Sequence, residues 1–377
     1  MADAPTPLLG GDTQGATVNA TTATGPSLPG AAQSSDCSNH DCLFDLIEVG
    51  PRTGIVPLGI GTNSWGTNVR KFDVPGLKDA FTRSLEMGIT LFDTAQIYNS
   101  GESESMLGIV NAETGKKAVI MSKFNALGKA AKDLVPSLRE TLSRCKVDRL
   151  DVFFIHHPKG DPEVLARELG KAVQEGLISA VGVSNYGEQA LRAFHALLAR
   201  HGVPLKFNEI EFSLLRRSPE RGGLLRTCEE LGVKVVAWAP LAQGRLTGKH
   251  TQKIANPGTL ELLKVLERIA QKRGKTQGQV AINWCCCKGT IPIPGARSRT
   301  QLEQNAGGVL GWRLTPEEVA ELDSVAVDEG GLYRDPEAAF ATWGWPAPLF
   351  RCFVRGLFRC LFSCARRVLP LQERCLP

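Results

Sequence analysis

The sequence predicts an α/β protein folded as a closed (β/α)8 barrel, the TIM-barrel architecture, on three observations. Eight short β-branched or apolar runs follow one another between about residues 52 and 326. Helix-length amphipathic stretches separate them, the alternation that builds a parallel sheet. Polar and titratable residues stand at the carboxyl ends of the runs, where barrels of this kind gather their chemistry. A chain of 377 residues, 42% hydrophobic and 22% charged, holds one such barrel with segments to spare.

Residues 1–47 are rich in Ala, Gly, Thr, Ser and Pro and contain no Lys or Arg. They are expected to be a disordered extension. Asp3, Asp12, Asp36, Asp41 and Asp45 sit poorly with an Arg-rich, acid-poor transit address, so a cytoplasmic location is expected, with a plastid as the alternative. Strands are expected at 56–61, 90–93, 118–123, 150–156, 180–184, 207–212, 234–238 and 290–294. Helices are expected at 77–87, 132–145, 165–175, 188–201, 221–231 and 262–273. The competitor is an open doubly wound sheet. Its fingerprint is incomplete: Gly59-Ile-Gly61-Thr-Asn-Ser64 has serine in the third glycine's place and no helical pattern directly after it. These glycines are read as a turn after the first strand. No run approaches the ~18 uncharged apolar residues of a membrane span.

The net charge of +5 is local. Between residues 343 and 377, Arg351, Arg355, Arg359, Arg366, Arg367 and Arg374 stand against one acid, Glu373, leaving the rest of the chain neutral. No basic groove for nucleic acid is therefore expected on the barrel. From 330 to 377 the chain is read as a basic amphipathic C-terminal tail. Arg351, Arg355, Arg359 and Arg366 recur at near-helical spacing against Phe353, Val354, Leu357, Phe358, Leu361 and Phe362. That pattern suits peripheral contact with an anionic membrane, and Cys352, Cys360 and Cys364 are open to acylation. A helix packed on the barrel is the alternative. The cysteines total eleven without a C-x-x-C pair, and Cys285, Cys286 and Cys287 are consecutive, which points to a reducing compartment with mostly buried thiols.

At the strand ends stand Asp93, Lys123 and His156, then Ser184-Asn185, Glu209 within the sixth run, Trp238 and Gly295. Tyr98 lies in the loop five residues beyond Asp93. Each has an ordinary explanation alone, as a helix cap, a solvated strand end, a turn or packing. Their joint occurrence in barrel order makes independent accidents improbable.

Phe-Asp93-Thr-Ala-Gln-Ile-Tyr98, Ser-Lys123, Leu-Asp-Val-Phe-Phe-Ile-His156 and Gly-Val-Ser184-Asn185-Tyr resemble the signatures of the aldo-keto reductases. So do Ala-Trp238-Ala-Pro-Leu-Ala-Gln-Gly-Arg-Leu-Thr-Gly-Lys249 and Ile-Pro-Ile-Pro-Gly295-Ala-Arg297. The resemblance covers about residues 52–326 and leans toward the plant plastid and cyanobacterial branch, on Ala-Val-Gly-Val-Ser-Asn-Tyr and on Gly-Trp-Arg-Leu-Thr at 311–315. It implies a reductase of aldehydes or ketones that uses NADPH, with a small-molecule carbonyl substrate. By that likeness Tyr98 donates the proton that follows hydride transfer. Lys123 draws the phenol's pKa down toward working pH, Asp93 orients the lysine, and His156 hydrogen-bonds the substrate carbonyl. Ser184, Asn185 and Glu209 contact the nicotinamide carboxamide, and Trp238 stacks on its ring. Gly295, Arg297, Gln301 and Asn305 form the clamp on the adenosine phosphate, with Arg297 favouring NADPH over NADH.

The chain departs from the family at two of these places. Glu209 stands where glutamine is usual, and a carboxylate accepts from the carboxamide but cannot donate. Ala239 replaces the usual serine. The stretch 249–260 is short for a substrate-covering loop, which implies an open pocket. The alternative function is an NADP(H)-binding regulatory subunit with little turnover. A metal-dependent barrel hydrolase needs clustered ligands that His156-His157 do not provide, so no metal site is expected.

Overall fold

The structure is a computed structural model and describes residues 42–66, 73–115, 117–126, 129–249, 254 and 256–329. A short antiparallel hairpin, β1 (Ile47–Val49) with β2 (Arg52–Ile55), leads into eight parallel strands. These are β3 (Gly59–Gly61), β4 (Leu91–Asp93), β5 (Val119–Phe124), β6 (Leu150–Ile155), β7 (Ile178–Ser184), β8 (Leu205–Glu211), β9 (Lys234–Trp238) and β10 (Thr290–Pro292). Each pairs with the next in chain order. The last meets the first where Gly61 N donates to Pro294 O at 3.0 Å and Gly61 bridges Gly295. The expected (β/α)8 barrel is what the chain forms.

The two glycines read as a turn lie instead in the first barrel strand, at this seam. A Cβ at Gly59 would come within 2.8 Å of Ile293 Cγ2, and one at Gly61 within 3.0 Å of Ile293 O. Packed side chains at Gly59 and the facing backbone at Gly61, rather than a turn, are what exclude a side chain here.

Alternation along the strands sorts the core. Leu91, Val119, Met121, Val152, Phe154, Phe207 and Val236 fill the barrel interior. Their neighbours Phe92, Ile120, Phe153, Val181 and Val235 face the surrounding helices. Ile47, Val49 and Ile55 of the hairpin join Leu91, Val119 and Ile291, so the hairpin plugs the end where the barrel strands begin. Sequence periodicity missed it, because strands of three and four residues are too short to show a period. Residues 42–47, expected in the disordered extension, are ordered: Phe44 is buried, Cys42 bridges Leu310 and Ile47 opens β1. The rest of that extension, the C-terminal tail from 330 with its membrane reading, and residues 250–253 and 255 of the loop read as short lie outside the described residues.

The helices around the barrel are α1 (Val74–Glu86), α2 (Glu102–Glu113), α3 (Leu134–Cys145), α4 (Pro162–Gln174), α5 (Glu188–Arg200), α6 (Ser218–Arg221), α7 (Leu224–Glu230), α8 (Pro257–Arg273), α9 (Gln277–Cys287), α10 (Arg299–Ala306) and α11 (Pro316–Val325). Several begin ahead of their apolar stripes because a capping residue and a proline start them, as Asp161 and Pro162 start α4. The helix expected at 221–231 is two pieces, α6 and α7, parted at Gly222 and Gly223, the latter at φ +85°. No stripe marks α9, since Val280, Ala281, Ile282, Trp284, Cys285 and Cys286 are all buried. Burial also pushes the thiols of Cys145, Cys228, Cys285 and Cys286 up, which keeps them unreactive.

Candidate active site

Strand parity places the polar residues. Asp93, Lys123, His156, Ser184, Glu209 and Trp238 each stand two positions beyond an inward-facing residue or glycine, namely Leu91, Met121, Phe154, Gly182, Phe207 and Val236. Period two therefore points all six toward the barrel axis at its carboxyl end.

Lys123 is the centre of the group and is fully buried. Its Nζ forms an ion pair with Asp93 Oδ1, donates to Thr94 O at 3.0 Å, and lies 3.2 Å from Glu209 Oε2. Tyr98 Oη is 3.5 Å away, at the long limit of a hydrogen bond. The Tyr98 ring is half-buried with its hydroxyl turned to the lysine. A left-handed run fixes the loop that carries it: Asn99 has φ 48° and Ser100 φ 57°. Asn99 Nδ2 holds the turn by donating to Asn63 O and Trp65 O, both at 3.0 Å. Such backbone costs ~1 kcal/mol or more per residue and persists only where contacts impose it.

The charges follow from this packing. Burial pushes the Tyr98 phenol above its ordinary pKa; Lys123 pulls it down, while Asp93 and Glu209 add to the rise. The lysine thus pulls the phenol in the expected direction, while burial and the two carboxylates act against it. Burial also raises Asp93, and it pushes Glu209 up to about 8, with the Asp93 charge adding to the effect. Lys123 goes up despite its burial, held by Asp93 and then Glu209. It is an ammonium at any working pH.

His156 N donates to Phe124 O at 3.0 Å, which fixes the end of β6. Its ring stacks on His157 with centroids 4.5 Å apart and meets Tyr98 edge-on at 6.1 Å. Burial first, then the neighbouring His157 and Lys123, hold His156 well below the usual imidazole range, so it is neutral. Its Nδ1 is buried with no hydrogen-bond partner among the described residues. His157, down to about 3, is neutral as well.

Beside this cluster, Asn185 takes φ 61°, and its Nδ2 donates to His156 O at 3.2 Å and to Ser184 Oγ at 3.0 Å. Its Oδ1 accepts from Trp238 Nε1 at 3.1 Å, and Ser184 Oγ donates to Glu209 O at 3.1 Å. A third group lies past β10. Arg297 N donates to Gln301 Oε1 at 3.0 Å, Asn305 Nδ2 donates to Gly295 O at 3.3 Å, and Ser298 caps α10. Gly295 is exposed and Arg297 half-buried. Trp65 Nε1, donating to Ala296 O at 2.7 Å, ties this group to the loop after β3. Sequence reasoning missed Trp65, the Thr94 carbonyl and the His157 stack. The second histidine of the pair was the one available signal. Among the described residues no group of three His, Cys, Asp or Glu could hold a metal.

A parallel barrel whose mouth gathers an ammonium, a phenol and a neutral imidazole has the groups for acid–base work on a bound small molecule, and the comparisons with known proteins place it among the oxidoreductases. The chain is a member of the aldo/keto reductase family, whose family model matches residues 57–327. It is similar to "Pyridoxal reductase, chloroplastic" of Arabidopsis thaliana, 37% identical over 317 residues, covering 75% of this chain and 86% of that protein. It also resembles L-glyceraldehyde 3-phosphate reductase of Escherichia coli K12, 28% identical, covering 74% of this chain and 90% of that one. Among solved structures, the glycerol dehydrogenase of Gluconobacter oxydans superposes with TM-score 0.65 at 26% identity, covering 74% and 94%. A thermostable aldo-keto reductase bound to the inhibitor epalrestat gives TM-score 0.63 at 27% identity, covering 74% and 99%. The plant relative agrees with the branch that the sequence signatures resemble.

Proposed function

We propose that this enzyme reduces the carbonyl of a small aldehyde or ketone to an alcohol, with NADPH as reductant and Tyr98 as proton donor. The observation that carries the reading is the contact of Tyr98 Oη with a buried lysine, 3.5 Å from Nζ, beside a neutral histidine. The relatives named for reducing pyridoxal and L-glyceraldehyde 3-phosphate support a small carbonyl substrate.

The residues present fit a nicotinamide dinucleotide. Ser184 and Asn185 bring a hydroxyl and an amide to the strand ends for a carboxamide, and Trp238 offers an aromatic face. Gly295, exposed beside Arg297 and the amino end of α10, offers backbone and a cation to a phosphate. Gln301 and Asn305 brace that loop. A bound reduced nicotinamide supplies the hydride. His156, being neutral, donates a hydrogen bond to the carbonyl oxygen and places it. Tyr98 gives its proton to that oxygen as negative charge builds there. The resulting phenolate lies against the Lys123 ammonium, which Asp93 holds in place, and it regains a proton from solvent.

Tyr98→Phe removes the donated proton and keeps the ring. Turnover measured as NADPH oxidation with an aromatic aldehyde is expected to fall ~100- to 10,000-fold. A variant as active as a native protein that turns over well above the protein-free blank refutes Tyr98 as donor, and a native protein that stays at the blank favours the regulatory alternative. The chloroplastic plant relative favours a plastid over the cytoplasm as the enzyme's location. No helix among the described residues is long and apolar enough to cross a membrane.

A further inference from the structure

Glu209 does something in this cluster that a carboxamide contact does not explain. It rises from β8 on the inner face, 2% exposed, and presents Oε2 to Lys123 Nζ at 3.2 Å. Asp93 reaches the same ammonium from β4. One lysine thus faces two carboxylates and one phenol. The groups around it are Asp93 from β4, Tyr98 from the loop beyond, Glu209 from β8, and His156 and His157 past β6. Both histidines are neutral, so they add no charge. A glutamine at position 209 would fill the same space and leave Lys123 with Asp93 as its one counter-charge.

We propose that Glu209 is a positioning residue that draws part of the Lys123 charge away from Tyr98, holding the phenol in its protonated form and delaying the phenolate that alcohol oxidation requires. This inference rests on the reading of Tyr98 as the proton carrier. A phenol is the acid needed when a carbonyl gains hydride and a proton. A phenolate is the base needed when an alcohol loses them. An ammonium shared among two carboxylates and the phenol stabilises phenolate less than one shared with Asp93 alone. Burial and the Asp93 charge push Glu209 up to about 8, so near neutrality it holds a proton that leaves as pH rises. The carboxylate gained at that step pushes Tyr98 further toward its protonated form. The reaction equilibrium is untouched. What changes is the pH at which oxidation switches on.

The test follows the tyrosines themselves. The chain has three, Tyr98, Tyr186 and Tyr333. With the ring carbon bearing the hydroxyl labelled with carbon-13, NMR of the cofactor-free protein reads each titration, and Tyr98→Phe assigns the signal. In Glu209→Gln the Tyr98 midpoint is expected to fall by about one unit or more while Tyr186 stays in place. Glu209→Asp, which restores the charge, is expected to return it toward the native position. The pH at which alcohol oxidation turns on should move down with the midpoint in Glu209→Gln. In the native protein the Tyr98 signal should also shift as pH passes about 8, where Glu209 titrates, so the coupling can be read even if the glutamine variant does not fold. An unmoved Tyr98 midpoint in Glu209→Gln overturns the proposal, as does a native Tyr98 signal flat through that range. A moved midpoint together with full turnover by Tyr98→Phe refutes the proton-donor reading instead.

Discussion

Lys123→Met keeps the length and apolar stem of the side chain and removes the charge. Two consequences can be sized from the contacts. The phenolate left by proton transfer loses its ammonium at 3.5 Å, and reduction is expected to slow ~100- to 10,000-fold, or ~3–5 kcal/mol of barrier. Asp93 and Glu209 meanwhile remain 1% and 2% exposed without a cation. Removing one partner of a buried ion pair usually costs ~3–5 kcal/mol of stability. This cluster has an escape, because Glu209, already pushed up to about 8 beside the lysine, rises further without it and binds a proton. Its folded pKa then lies above the unfolded value, so the native state holds the extra proton. Stability is present at low pH and is lost as pH rises, by at most about 1.4 kcal/mol per unit for one proton. Below about pH 8 both folded proteins hold that proton, so urea unfolding between about pH 6 and pH 10 should show the gap between variant and native protein constant at first and widening above about pH 8, where native Glu209 ionises. Equal turnover refutes the role of Lys123 in proton transfer. A stability gap that does not change with pH refutes the account of a buried proton on Glu209.

Two further outcomes follow from groups away from that centre. Arg297→Ala should raise the KM for NADPH about ten- to a hundredfold while moving that for NADH little, as initial rates with the two cofactors will show; an equal effect on both argues against a phosphate contact. Arg144 Nε donates at 2.6 Å to Glu104 Oε2, whose carboxylate is fully buried and also accepts from Ser122 Oγ at 2.6 Å. Arg144→Met strands that charge behind β5, so the variant should unfold with ~3–5 kcal/mol less stability by urea titration, and a loss below ~1 kcal/mol refutes the pairing as a structural contact.

What the sequence disclosed of the site depended on parity, and what it concealed depended on closure. In a parallel barrel strand, every second residue faces the axis, so Leu91 with Asp93, Met121 with Lys123 and Phe154 with His156 could each be placed inward from one run alone. Glu209 obeys the same parity after Phe207 and was found on the same grounds. Its partner was not legible, because β5 and β8 are not neighbours in the sheet and touch through these side chains only once Gly61 meets Gly295 and the barrel shuts. The state of the Tyr98 proton was hidden for a related reason. Its neighbours of opposite charge can be named from motifs, but the depth to which the ring wall sinks them cannot, and burial is the largest influence on that phenol. Among the elements that escaped notice, α9 is buried around most of its surface and so shows no stripe, and the β1–β2 hairpin has too few residues to repeat. A family resemblance supplies roles for positions that match its pattern. At position 209 the pattern is broken, and only the assembled barrel shows that the substituted carboxylate joins the lysine rather than standing in solvent.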